Sequence, residues 1–302
     1  MIDCMNEVKR LRPECISCIV RGNLEKFPKN TPVNQQVEYK QKLLTIIGTA
    51  RDDLSSPVLS KKIKELQADM FDIHDDYEEI KRHFNHLMES FENPIMEDVN
   101  QSKDPLYLAI EYAMLGNYID FGAMDSVDEN YLKELLKTAR DRDFDKVQYE
   151  RLKSDLEKGK KLVFLTDNCG EIVMDKILIR TIQKLYPHLK VSVLVRGKPI
   201  INDATIEDAK QVGLDKIAHV IPNGSGIPGT FYEELSPEAK KEIDTADIIL
   251  AKGQGNFETL RMCHKNVYYI FLCKCEMFAR IFDVPRFTGI LINDEEVIKR
   301  AA

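Results

Sequence analysis

The second half of this chain alternates between two hydrophobic periods, and that alternation constrains the fold more than any other feature. From residue 160 onward, short apolar runs at 162–166, 191–195, 218–221, 248–251 and 267–272 are separated by amphipathic stretches at 172–185, 205–211, 236–242 and 256–262. Short, near-continuous apolar runs rich in Val, Ile and Leu read as strands buried on both faces. Strands alternating with helices predict a parallel sheet covered on both sides. The preceding residues show helical spacing only, at 16–27, 37–53, 57–71, 75–91, 106–118, 128–136 and 146–156. Asn93-Pro94 and Lys103-Asp104-Pro105 are expected to break that run, with Pro105 well placed at a helix start. The expected architecture is therefore a helical part over 1–155 followed by a Rossmann-like α/β part over 156–302.

Composition narrows the function classes. The net charge of −7 argues against a nucleic-acid partner, which calls for a dominant basic surface. No apolar run reaches the length of a membrane span, and the amino terminus MIDCMNEVKRLRPEC lacks an apolar signal core. The expectation is a cytoplasmic protein that engages neither nucleic acid nor membrane. Its cysteines, Cys4, Cys15, Cys18, Cys169, Cys263, Cys273 and Cys275, form an odd set in a long chain, unlike a secreted disulfide framework.

The chemistry concentrates in loops that follow strands. The first is Asp167-Asn168-Cys169-Gly170-Glu171, a carboxylate and a carboxamide between a strand end and a helix start. Open α/β sheets place ligands there. The second loop, 196–205, carries Lys198, Asn202 and Asp203; the third, 223–230, carries Asn223, Gly224, Ser225 and Gly226; the fourth, 252–256, carries Lys252, Gly253, Gln254, Gly255 and Asn256. All would converge on one edge of the sheet. Asp167, Asn168 and Asp203 offer hard oxygen ligands suited to Mg²⁺ or Mn²⁺. Lys252 offers a cation for phosphate oxygens, and glycine-rich turns let backbone N–H groups approach an anion. Blander roles compete: Asn168 and Glu171 as a capping box, Asp203 as a helix cap, Lys252 in solvent.

Other motifs are absent or ambiguous. No GxGxxG follows the first strand and no GxxxxGK[ST] occurs, which removes the nicotinamide and P-loop readings. The second position past Asp167 is Cys169, so a phospho-aspartyl route through Asp-x-Asp loses support. His83-x-x-His86, amid Lys81, Arg82 and Glu89, reads as a solvated face rather than a metal site. Cys15-Ile-Ser-Cys18 stands at a helix start and suits a structural metal, a reversible disulfide or simple burial; Cys263, His264, Cys273 and Cys275 are candidate further ligands. Gly116-Asn117 is awkward within a helix, and reads as a carboxyl cap, a kink or a close approach to the site.

Taken together, the motifs TDNCGE (166–171), KPIINDAT (198–205), ADIILAKGQGNFE (246–258) and GNYID (116–120) resemble the metal-dependent damage-control phosphatase family, long treated as a domain of unknown function. PECISC (13–18) resembles the branch with an amino-terminal CxxC. The resemblance implies a helical region joined to a Rossmann-like three-layer α/β/α sandwich. It implies Asp167, Asn168 and Asp203 as ligands of a divalent metal (Mn, Mg, Co or Ni), Lys252 on the substrate phosphate, and Asn117 reaching into the cleft. Asn256, Glu258 and the turn with Ser225 and Gly226 are weaker carry-overs; Glu171 is left between capping and chemistry. The implied activity is hydrolysis of phosphate monoesters of small metabolites, such as damaged or side-product sugar phosphates. An animal member has been described as a carboxyl methyltransferase, so S-adenosylmethionine-dependent methyl transfer is the alternative enzyme; a non-catalytic phosphometabolite-binding protein is the third reading.

Overall fold

Leu162, Val163, Phe164 and Leu165 are all buried, and they divide between two layers. Leu162 and Phe164 join one apolar cluster, Val163 and Leu165 another. Alternation with both faces buried is the signature of an interior strand. The computed structural model describes residues 11–51, 53–74, 77–121 and 127–301. Cys4 and the expected helix start at Asp75 lie outside the described residues.

The first part of the chain forms α1 (Pro13–Asn23), α2 (Val33–Gly48), α3 (Ser56–Phe71), α4 (Glu78–Gln101), α5 (Pro105–Gly116), α6 (Glu129–Lys137) and α7 (Lys146–Lys158). Then come β1 (Lys161–Leu165), α8 (Glu171–Leu185), β2 (Lys190–Val195), α9 (Ile206–Gln211), β3 (His219–Pro222), α10 (Pro237–Asp244), β4 (Ile248–Lys252) and α11 (Gly253–Leu260). The chain closes with β5 (Val267–Leu272), α12 (Glu276–Phe282), β6 (Gly289–Asn293) and α13 (Asp294–Ala301). Among the described residues no helix is long and apolar enough to cross a membrane.

The strand order is β3-β2-β1-β4-β5-β6, with β6 antiparallel to β5 and the other pairs parallel. The chain direction through the sheet reverses between β1 and β4, which opens a crevice outside their carboxyl ends. Leu165 stands opposite both Leu194 and Ala251, so β1, β2 and β4 end level and their following loops meet. One face is covered by α4, α5, α7, α8 and α9, the other by α10, α11, α12 and α13. A separate apolar cluster holds α1, α2 and α3 together and takes in Ile227 from the loop after β3.

Two expectations need correction. The chain does not break at Asn93-Pro94: α4 continues through Pro94 to Gln101. Its buried stripe, Phe84, Met88, Ile95 and Val99, runs on past the proline, while Ser90 and Pro94 are exposed. The carbonyl that Pro94 cannot serve therefore faces water, and packing outweighs the lost hydrogen bond. The sheet also gains β6, an antiparallel edge strand that the alternation did not predict. Doubly wound sheets commonly carry such a strand.

Candidate active site

Asn117 shows how the fold builds the crevice. It caps α5 in right-handed conformation (φ −65°), so the glycine before it is not a left-handed cap. Gly116 instead allows close approach: a Cβ there would lie 3.0 Å from Met174 Cγ of α8. The fully buried Asn117 amide donates to Asp167 Oδ2 at 3.0 Å and Glu171 Oε2 at 2.8 Å, and accepts from the Leu272 N–H at 3.1 Å. One side chain thus ties α5, β5 and the loop after β1 together.

Asn168 repeats the pattern, donating its amide N–H groups to Asp167 Oδ2 at 2.7 Å and Glu171 Oε2 at 3.0 Å. Its carbonyl oxygen is then the end available to a cation. The helix starts at Glu171 with Gly170 as its cap at φ 68°, so Asn168 is not the cap residue. Asp203 does not cap α9 either; Thr205 and Asp208 form that capping box. Asp203 accepts a 2.6 Å hydrogen bond from Arg196 Nε, and Arg196 Nη2 lies 3.5 Å from Asp167 Oδ1. A short bridge pairs Asn168 with Asp203 and brings the two loops together. The turn before Asp203 holds Ile201 at φ 45°, a left-handed conformation that costs a β-branched residue ~1–3 kcal/mol.

Lys252 is fully buried, not solvated. An ammonium has three N–H donors. Lys252 directs them to Glu171 Oε1 at 2.6 Å, Asp175 Oδ1 at 2.5 Å and the Ala113 carbonyl at 2.9 Å. Burial opposes its charge, but Asp175 and Glu171 outweigh that effect and raise its pKa. Asn256 fastens the ends of β1 and β4 by donating to the Thr166 and Lys252 carbonyls at 3.0 and 2.6 Å. Gly253, at φ 77°, lies directly under Asp167; a Cβ there would come within 1.9 Å of Asp167 Oδ2. Only glycine leaves room for the carboxylate in that place.

The structure joins Asn117, Asp167, Asn168, Glu171, Asp203, Lys252 and Asn256 into one hydrogen-bonded group through Arg196. Ser225 bonds outside that group, while the Glu258 carboxyl feels the Asp120 carboxylate. Ser225 donates to Glu234 at 3.2 Å, and Glu258 accepts from Gln254 at 3.1 Å. Gly226 packs against Lys198. His83 and His86 pair with different carboxylates, Glu129 and Glu89, on an exposed face. Sequence reasoning missed four charged residues at the site. Arg196 follows β2, Asp175 lies one turn into α8, and Lys274 follows β5 and forms a 2.5 Å ion pair with Asp120. Arg196 and Lys274 carried a signal, since each is charged just past a strand end.

The electrostatics of the group are lopsided. Five carboxyl groups, Asp120, Asp167, Glu171, Asp175 and Asp203, share three cations, Arg196, Lys252 and Lys274. Burial raises Asp167 well above the ordinary carboxylate value, and Glu171, Asp203 and Asp120 push it further. Burial lifts Asp203 to about 6 despite Arg196. It lifts Asp175 to about 7 despite Lys252, and Asp175 Oδ2 has no partner among the described residues. Among the described residues no three His, Cys, Asp or Glu side chains stand ready as a metal cluster. The donor set here is two carboxylates and an amide, with a guanidinium between the carboxylates. Hard oxygen donors on a site with more carboxyl groups than cations fit a divalent cation.

These features define an open, doubly wound α/β protein with a buried carboxylate–amide crevice at its switch point. Residues 11–288 match the damage-control phosphatase ARMT1-like domain, and the chain belongs to that family. The uncharacterized protein MJ0202 of Methanocaldococcus jannaschii is 30% identical over 97% of both chains. A damage-control phosphatase of Archaeoglobus fulgidus is 32% identical over 90% of this chain and 94% of its own. The crystal structure of a DUF89 family protein from Pyrococcus horikoshii, PH1575, superposes with a TM-score of 0.75 at 25% identity, covering 94% of this chain and 99% of that one.

Proposed function

We propose that this protein is a metal-dependent phosphatase that hydrolyses phosphate monoesters of small metabolites, sugar phosphates among them. The observation that carries this reading is the crowding of five carboxyl groups around three cations at the switch point, with Asp167, Asn168 and Asp203 side by side. Family membership supports it, as does the damage-control phosphatase name of the Archaeoglobus relative. Asp167, Asn168 and Asp203 would hold a divalent ion such as Mn²⁺, Mg²⁺, Co²⁺ or Ni²⁺. Such an ion, when bound, supplies Lewis-acid polarisation of the phosphoryl group.

The chain's own residues then have distinct tasks. Arg196 bridges Asp203 and Asp167 and fixes how both carboxylates face the crevice. Glu171 is held at one oxygen by Lys252 and at the other by Asn117 and Asn168, so its orientation is set before substrate arrives. That arrangement suits a group that holds Asn168 and Asn117 in place around the crevice, since both of its oxygens already accept hydrogen bonds. Lys252 acts through Glu171, because its donors are already engaged. Lys274 directs one N–H to Asp120, which leaves donors for phosphate oxygens.

Phosphate release from p-nitrophenyl phosphate and a sugar-phosphate panel, each with the four metals, tests the proposal. Metal-dependent turnover is expected, and its loss in Asp167→Asn and Asp203→Asn. Turnover that survives intact in both variants, or that needs no metal, overturns it.

A further inference from the structure

A second chemistry gathers at the junction of α1 and α12, beside Glu258 of α11. Cys15, in the first turn of α1, points its Sγ at Met277 Sδ of α12, 4.0 Å away. Two sulfurs that share one tetrahedral ion, with bonds of ~2.3 Å, stand about 3.8 Å apart. Cys18 follows Cys15 by three residues and so lies on the same face of α1. Cys275 is the cap residue of α12, two positions before Met277. Cys15 and Cys275 both pack against the apolar layer formed by α10–α13. An exposed ion pair between Glu14 and Arg280, at 2.9 Å, holds the two helices in register.

The charged surroundings are consistent with one cluster. Burial pushes the Cys15 thiol up to about 11, and Glu258 and Cys275 add to the rise, while the Arg12 backbone and Arg261 oppose it. Burial also raises Cys275, which feels Glu258 and Cys18. Thiols held this high are protonated in the free protein, so a bound metal ion must displace their protons. Cys273 is turned toward the Cys275 carbonyl and is not part of the group.

We propose that Cys15, Cys18, Cys275 and Met277 form a binding site for a soft monovalent metal ion of the Cu(I) class. Thiolate and thioether sulfur select such ions over the hard cations suited to Asp167, Asn168 and Asp203. Among the described residues no three His, Cys, Asp or Glu side chains already stand in ligating geometry; Cys15 and Met277 form the preset pair, and Cys18 and Cys275 would have to rotate their side chains toward it. Each ligating thiol gives its proton to solvent as its sulfur–copper bond forms, with no change of oxidation state. The ion would pin α1 to α12 across the layer that also holds α11, whose first turn lies under the phosphatase site.

The test is anaerobic titration of the reduced full-length chain with Cu(I), in competition with a colorimetric Cu(I) chelator. Asp167→Asn serves as the background, so that the hard-metal site cannot contribute. One Cu(I) per chain is expected, with a sulfur-to-copper charge-transfer band in the near ultraviolet. Cys15→Ser is expected to weaken binding ~100-fold, and the volume-conserving Met277→Leu ~10-fold. Cys263→Ser, outside the group, is expected to change nothing. Complete retention of copper by the chelator overturns the proposal. So does undiminished binding in both Cys15→Ser and Met277→Leu, or a preference of the same cysteines for Zn²⁺. Phosphatase activity plays no part in the readout, so failure here leaves the function above standing.

Discussion

Two lysines stand at the carboxyl ends of neighbouring parallel strands and meet opposite fates. Lys252 closes β4 and lies beneath the crevice, with its donors directed to two carboxylates and a carbonyl. Lys274 follows β5, is also buried, and meets a single carboxylate, Asp120, which is itself partly exposed. Like charges near the ends of neighbouring strands are therefore not equally available to a substrate. What decides is the number of acceptors that the surrounding helices bring. For Lys252, α8 supplies Glu171 and Asp175 and α5 supplies Ala113; for Lys274, the segment after α5 supplies Asp120.

The sharpest way to break this comparison is Lys252→Met. It strands Glu171 and Asp175 without their cation, and breaking a buried pair from one side costs ~3–5 kcal/mol. Chemical denaturation should show a loss of that size, and kcat should fall while KM for substrate stays near its native value. A raised KM with unchanged kcat would return Lys252 to direct phosphate contact.

A buried carboxyl group outside the crevice network provides the reference. Glu111 of α5 is buried, and its Oε1 has no partner among the described residues. Burial raises its pKa to about 8, with Arg142 opposing and Asp143 reinforcing the rise. The folded chain thus keeps a proton that the unfolded chain releases near 4.5. Its contribution to stability is complete below about 4.5 and declines as pH climbs to about 8. Glu111→Gln should flatten that decline, worth on the order of 5 kcal/mol between the ends of the window, in denaturation curves across pH. An unchanged pH slope would show that Glu111 already has a counter-charge in solution.

Gly253→Ala addresses the floor of the crevice. The added methyl must displace the Asp167 carboxylate, and a shift of about 1 Å at a reacting centre costs ~100-fold in rate. Loss of metal affinity by calorimetry should accompany the loss of turnover. The mildest expected effect is that of Lys274→Met: KM for a phosphomonoester should rise ~10-fold with little change in kcat, the value of one charge-assisted hydrogen bond. If Lys274→Met leaves KM untouched, the two lysines are alike in serving structure alone.

Much of the fold was legible because β1, β4 and β5 are buried along nearly their whole length and β2 along most of it, so that their apolar runs stand out from the amphipathic helices between them. Their bounds fall within one residue of the expected runs at most ends. The antiparallel β6 was hidden because a short apolar run such as Gly289–Asn293 does not reveal its direction or its partner. The expected break at Pro94 failed because a proline rule is local, whereas the buried stripe of α4 is held by α5 and α8. The loops of the site were legible as polar, glycine-rich segments at successive strand ends. The joint placement of Asp167, Asn168 and Glu171 followed from their spacing after one strand.

The sequence by itself determined the sheet, the edge on which the polar loops meet, and the residue types that make that edge negative. Period and composition are local properties, and they survive without knowledge of neighbours. Only the tertiary structure decided which cation answers which carboxylate. Lys252 turns inward to Glu171 and Asp175, Arg196 spans Asp203 and Asp167, and Lys274 takes Asp120. Those pairings join residues up to 154 positions apart. They are set by how closely α5 and α8 approach across Gly116, a distance fixed by side-chain packing and recorded in no single stretch of the chain.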